Sequence, residues 1–227
     1  MVLAIAVLTS TPTAVSADLY LGALGGLSTL SADGRSVFAP DVVAISLYKP
    51  ENGTVANVFS GVHLNDYLGV QGNFTWNRND FTLVSSQAIG NSGISVYEQA
   101  RASSQRAFSA DLLGYFRQRS SRVRPYLSVG IALVHFRSEE IQVNFTRGDR
   151  RFPPREFSST QPALRVAVGA DLHIGHGWAF RYTFIEAIQR NAISNQLMPP
   201  GQRNLATFQN LFGVVKVFRG TAMSQRF

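Results

Sequence analysis

Apolar and polar positions alternate along most of the chain after Asp18. Between positions 164 and 172, Leu164, Val166, Val168, Ala170 and Leu172 fall on one side of the alternation and Arg165, Ala167, Gly169 and Asp171 on the other. Successive side chains of a strand point to opposite faces. This run therefore predicts a strand with one apolar face and one small or charged face; wound as a helix, it would scatter both sets. The same signature recurs over 68–76, 127–133 and 178–184, and further strands are predicted over 19–29, 56–64, 106–116 and 206–218. About eight strands result.

The links between these strands fall into two classes. Asn65-Asp66, Gly175-His176-Gly177 and the polar stretch 118–123 are short and rich in turn residues. The links 30–55, 77–105, 137–160 and 188–205 are long, and short and long alternate strictly. Antiparallel neighbours would gather every long link at one rim and every short one at the other, which is the asymmetry of barrels that cross the bacterial outer membrane. A soluble eight-stranded barrel also alternates, but it turns its apolar face inward. Here the other face carries Gly, Ser, Thr, Asn and Gln together with Asp111, Arg165, Asp171 and Arg181. A dry core of such groups would fail, because burying unpaired charge costs several kcal/mol. Aromatic residues at the run ends, Tyr67 with Trp76, Tyr126 with Phe136, and Trp178, are expected to mark the two membrane–water interfaces.

Residues 1–17 carry no charge, hold a short apolar run from Val2 to Leu8, and end in Ala14-Val15-Ser16-Ala17, a small-x-small cleavage pattern. They are expected to be a signal peptide, although a positive start ahead of the apolar run is missing. Residues 18–218 are expected to form the barrel and 219–227 a C-terminal tail. No stretch is long and apolar enough for a transmembrane helix. The chain has no Cys, so pairing and packing alone must hold the fold. Its formal charge is +7, and all but Lys49 and Lys216 of its 21 basic residues are Arg. These are scattered over loops and turns with no helix to gather them, which argues against nucleic acid and for contact with an anionic surface such as lipid headgroups.

Four candidate chemistries arise. Asp111, Arg165, Asp171 and Arg181 share the lumenal face and form either a charge network or separate solvated charges. The 137–157 loop holds Arg137, Arg147, Arg150, Arg151 and Arg155 against Glu139, Glu140, Asp149 and Glu156, with Phe145, Phe152 and Phe157 interleaved. It is either an anion- or partner-binding surface using Arg forks or a solvated loop with internal ion pairs. His173 and His176, three apart, would point to opposite faces of a strand, so no metal site is expected. Nothing in the spacing of Ser, His and Asp suggests a catalytic arrangement, so neither an enzyme nor a cofactor is expected.

Three segments carry a family resemblance: Asp18-Leu19-Tyr20-Leu21-Gly22-Ala23, Asn65-Asp66-Tyr67-Leu68-Gly69-Val70, and Ser109 to Phe116 followed by Arg124 to Gly130. Together they resemble the first strand, the turn into the third strand, and the fourth and fifth strands of the OmpA-like outer-membrane β-barrel domain family. The resemblance implies an all-β, eight-stranded antiparallel up-and-down transmembrane barrel in the bacterial outer membrane. It implies insertion by the outer-membrane assembly machinery. A monomer in contact with outer-membrane lipid and lipopolysaccharide is expected. Family members often end on an aromatic, a place that Phe218 fits, although the chain continues to Phe227. The expected role is structural or surface-interacting through long extracellular loops. The alternative is a small channel or a binder of small or hydrophobic solutes, and an eight-stranded interior just wide enough for side chains disfavours a large pore.

Overall fold

A computed structural model describes residues 18–89, 93–147, 154–197 and 199–218. The expected signal peptide and C-terminal tail lie outside these residues. The strands are β1 (Asp18–Leu30), β2 (Asp33–Ala39), β3 (Val42–Pro50), β4 (Gly53–His63), β5 (Leu68–Ile89), β6 (Ile94–Tyr115), β7 (Val123–Arg147), β8 (Glu156–Gly175), β9 (Trp178–Arg190) and β10 (Asn204–Phe218). Every pairing is antiparallel, and β5, β4, β1, β10, β9, β8, β7 and β6 close on themselves through the β5–β6 pairing. That closed ring has eight strands, as the alternation predicts.

The other two strands are continuations. β2 pairs with β3 in the register that β1 keeps with β4, Asp33 opposite Tyr48 and Asp18 opposite His63. β3 and β4 lie end to end along β5, displaced by one residue where Glu51 and Asn52 interrupt them, the signature of a β-bulge. Thus 18–63 is one long hairpin with its tip at Pro40-Asp41.

Following the register once around the ring leads from Asp18 through His63, Gly69, Leu113, Ser128, Ala167, Ile185 and Gln209 back to β1 at Ser28. The ring therefore closes with a stagger of ten residues, which for eight strands tilts each by about 40° and sets a backbone radius of about 8 Å. Each residue then advances about 2.5 Å along the barrel axis.

The outward faces define the membrane band. Leu68, Val70 and Trp76 on β5, Leu127, Val129, Ile131 and Leu133 on β7, Leu164, Val166 and Val168 on β8, and Trp178 and Phe180 on β9 all face out and are exposed. About ten residues per strand cover the ~25 Å that such a band requires. Tyr67, Phe116, Trp178 and Phe218 stand exposed at its lower edge. Above it runs a polar collar: Arg78 with Asp80 at 3.9 Å, and Arg137 between Glu139 at 2.7 Å and Glu156 at 2.8 Å.

Two sequence expectations are corrected. The long links are mostly strand: 30–55, 77–105 and 137–160 continue the ring upward, and Ser85, Ser86, Ser103 and Ser104 lie within β5 and β6. Tyr126 and Phe136 do not mark the interfaces, because both turn inward and are buried. For Phe136 the reason is that the barrel rises above the bilayer there, so the outside is water and an aromatic ring gains by facing in. Tyr126, within the membrane band, has the opposite phase to Leu127 and Val129 and fills the lumen against Tyr115 and Gly169.

Candidate functional site

The interior is layered. At the lower, short-turn rim, three groups close the mouth: Arg119 and Arg124 around the start of β7, and His63 at the end of β4. Arg119, in the 116–122 turn, pairs with Asp18 at 2.8 Å and donates to the carbonyls of Asn65 at 3.2 Å and His63 at 3.3 Å. Arg124 lies 3.8 Å over the Tyr115 ring and donates to the Asp66 carbonyl at 2.9 Å. His63 is buried against Tyr20, 4.6 Å between centroids, and Tyr115, 5.3 Å. His173 and His176 line the same shallow mouth, which encloses about 200 Å³. His135 is elsewhere, on the outside, bonded to Thr160 Oγ1 at 2.9 Å. The 174–178 turn itself is shaped by three consecutive left-handed residues, Gly175, His176 and Gly177.

Above the mouth, Arg181 is fully buried. It grips both oxygens of its cross-strand neighbour Asp171, at 2.6 Å and 2.8 Å, and donates to Gln71 Oε1 at 2.7 Å and the Tyr115 hydroxyl at 3.1 Å. Its guanidinium also lies 4.9 Å from the centroids of the Phe59 and Tyr126 rings. One layer up, Arg165 on β8 meets Asp111 on β6 at 3.4 Å and donates to Ser109 Oγ. These strands are not neighbours; β7 lies between them. The row Asp111, Gly130, Arg165 passes through Gly130, where a Cβ would stand 2.1 Å from Asp111 Oδ1. Glycine there is what lets the pair meet.

The two ion pairs are connected by amides. Gln71 Nε2 donates to Asn73 Oδ1 at 2.7 Å, and Asn73 Nδ2 donates to Asp111 Oδ2 at 3.0 Å. The chain of contacts runs Asp171, Arg181, Gln71, Asn73, Asp111, Arg165. All four charged positions expected to face the lumen do so, arranged as two pairs. Gln71, Asn73, Ser109 and Tyr115 were not singled out by sequence; their signal was only their phase in the alternation. The cavity left among these groups is about 10 Å³, at the lower limit for holding one water. A third polar layer above, Ser28, Asn77 and Asn79, is bonded internally at 2.9–3.2 Å.

Beyond the collar the interior holds an apolar cluster among buried polar groups such as Ser46, Ser85, Gln99 and Arg101. Leu30, Tyr48, Phe81, Leu83, Tyr97, Phe136 and Leu205 are buried together with Ile193 and Leu197 from the β9–β10 link. That link folds down into the mouth. Asn191 Oδ1 accepts from the backbone N–H of Ile193 and of Ser194, both at 3.0 Å, and its Nδ2 donates to the Tyr48 hydroxyl at 3.1 Å. A single 3-10 turn, Ser194–Gln196, follows. Burial in this cap pushes the Tyr48 hydroxyl up to about 12. Arg101, also buried in the cap, lies 4.8 Å from the Phe157 ring centroid and donates to the carbonyls of Pro154 and Arg155, each at 3.0 Å.

The expected Arg surface of the 137–157 loop is dispersed. Arg137 belongs to the collar and is paired with Glu139 and Glu156. Arg147 ends β7 and Arg155 precedes β8, both exposed. Arg150 and Arg151 lie outside the described residues.

Comparison with curated proteins finds no sequence match. Among solved structures the chain is similar to Neisserial surface protein A, with 13% identity over 88% of this chain and 97% of that one and a TM-score of 0.49. It is also similar to the attachment invasion locus protein Ail of Yersinia pestis, with 10% identity over 88% and 98% and a TM-score of 0.45. A third similarity is to the N-terminal β-barrel domain of Pseudomonas aeruginosa OprF, with 11% identity over 87% and 99% and a TM-score of 0.41. The sequence model of the outer membrane protein beta-barrel domain matches residues 1–195. The chain belongs to that family, and it is an outer-membrane β-barrel of the bacterial cell envelope.

Proposed function

We propose that this barrel is an occluded membrane anchor with a structural and surface-interacting role, presenting its raised outer strands to the cell's surroundings rather than passing solutes. The observation that carries this reading is the filled lumen. Two ion pairs bridged by Gln71 and Asn73 leave about 10 Å³, and the apolar cap lies over them. Support for the surface role comes from the hairpin of β2 and β3, whose outer face exposes Phe38, Val43, Ile45 and Leu47 above the polar collar. Exposed apolar groups clustered on a protein surface are typical of contact sites. On this reading the barrel acts as a monomer in outer-membrane lipid and lipopolysaccharide, inserted by the assembly machinery. It performs no catalytic step and uses neither cofactor nor nucleic acid.

Planar-bilayer recording of the refolded protein tests the reading. No steady conductance step is expected from the wild type at moderate voltage, whereas Arg181→Ala with Asp171→Ala, which empties one layer of the plug, is expected to conduct. Sustained wild-type conductance would overturn occlusion in favour of a path for small solutes.

A further inference from the structure

The strands that bound the barrel end at different heights. β9 stops at Arg190 and β10 begins at Asn204, while their neighbour β8 extends upward to Glu156. The wall therefore has a gap just above the membrane band, and the 191–203 link folds across it. The inner side of the link supplies Ile193 and Leu197 to the cap. Its outer side leaves a cleft of about 640 Å³, lined by Ser159 and Gln161 of β8, Asn195 of the link, and Arg35, Arg190 and Arg203.

Those three guanidiniums are exposed, unlike Arg101 and Arg124, which form no ion pair among the described residues but are buried and held by backbone carbonyls. Arg119, Arg137, Arg165 and Arg181 each face a carboxylate. Among the described residues no carboxylate lines this cleft; Asp33 lies behind Gly201, buried and accepting from the backbone N–H of Gln202. Arg35 donates to the Pro200 carbonyl at 3.4 Å, and among the described residues no ion pair involves Arg35, Arg190 or Arg203. Three positive charges held around one polar cavity repel one another unless an anion enters it. Arg forks fit the oxygens of a phosphate in two-point contact, and the hydroxyl and amide groups of Ser159, Gln161 and Asn195 supply further donors. The position favours a source in the bilayer. Arg190 is two residues above Ile188, the last outward apolar residue of β9, which places it about 5 Å above the band, at headgroup level.

We propose that this cleft is a binding site for a phosphate ester, held by Arg35, Arg190 and Arg203, with an outer-leaflet lipid headgroup as its source. The proposal does not depend on whether the lumen conducts.

The test uses the full chain refolded in nanodiscs that contain bisphosphorylated lipid A or, in parallel, its dephosphorylated form, with inorganic pyrophosphate as a soluble probe. The wild type is expected to retain phosphorylated lipid A at least tenfold better than the dephosphorylated form. The triple variant Arg35→Ala, Arg190→Ala, Arg203→Ala is expected to lose that preference, and the triple Lys variant to recover part of it. All three side chains are exposed, so heat-modifiable mobility on gels should remain and report an intact barrel. Arg78→Ala, in the collar but outside the cleft, should bind as the wild type does. Pyrophosphate is expected to compete at the same three guanidiniums, whereas pyrophosphate binding by wild-type protein that shows no preference for phosphorylated lipid A would uphold the phosphate site and move its source from the bilayer to solution. The proposal fails if wild-type protein binds neither phosphorylated lipid A nor pyrophosphate above the dephosphorylated control, or if the folded triple Ala variant binds them unchanged.

Discussion

Arg181 is buried in the part of the barrel that crosses the bilayer, where a lipid-facing arginine would cost roughly 2–4 kcal/mol near the midplane. Alternation alone assigned it to the lumen. Alternation could not name its partners, because phase gives a face and only register gives a neighbour. Asp171 is directly across the β8–β9 ladder, while Gln71 reaches it from the far wall. Removing one member of such a pair leaves the other charged, dry and unmatched. Arg181→Ala or Asp171→Ala is therefore expected to destabilise the barrel by about 3–5 kcal/mol. The double variant should lose much less than the sum of the two. Urea unfolding in detergent measures all four corners of the cycle, and coupling near zero would mean that the two groups are independently solvated. The same reasoning explains why Gly130 was illegible: nothing in a sequence says that one missing side chain makes room for Asp111.

At the scale of elements, the transmembrane halves of the strands were readable and their upper halves were not. Within the band of β5, Leu68, Val70 and Trp76 face out while Gln71, Asn73, Thr75 and Asn77 face in. A few residues later Phe81 and Leu83 face in. The backbone rhythm is unbroken, but the chemistry of the two faces changes because lipid has given way to water. A reading tuned to the membrane pattern sees that change as the end of the strand. Tyr48 reports on the element that results. Its hydroxyl is ordinarily near 10 and is pushed up to about 12 by burial in the cap, so the folded cap holds this proton more tightly than the unfolded chain does. The associated stability is fully present below pH 10 and declines as pH rises from 10 through 12. Limited proteolysis of the 191–203 link across that range should show the cap loosening. Tyr48→Phe should remove that titration while costing about 1 kcal/mol through the lost bond from Asn191. Proteolysis independent of pH in the wild type would show that Tyr48 is not buried there.

For the molecule as a whole, the strict alternation of short and long links was enough to set strand number and direction, because each crossing reverses the chain. The collar of Arg78, Asp80, Arg137, Glu139 and Glu156 lies on the side of the long links, and we propose that this side faces the cell exterior, where outer-membrane barrels carry their longer loops. An epitope inserted at Pro40-Asp41 should be labelled on intact cells, and one at Asn65-Asp66 only after permeabilisation. Labelling of the Asn65-Asp66 site on intact cells would reverse the orientation. What the sequence withheld at this scale was the height of the barrel and the uneven rim that opens the Arg35, Arg190 and Arg203 cleft, since both depend on where each strand stops relative to its neighbours.

The β1–β10 pairing sets the order in which such a molecule can be made. Leu19 lies opposite Phe218 and Leu30 opposite Thr207, so the first strand waits for the last before its free edge is satisfied. Until then the chain is a curling ribbon with two open edges, each a template for pairing with another copy. In hydrocarbon those unpaired amides would cost several kcal/mol each. A partly assembled barrel is therefore poorly stable in lipid and prone to aggregate in water, and closure of this one ladder completes the eight-stranded ring at once. The reverse also holds: unfolding must begin by unzipping a ladder in a medium that offers its amides no other partner. The native barrel is thereby expected to persist through a high kinetic barrier more than through any single contact inside it.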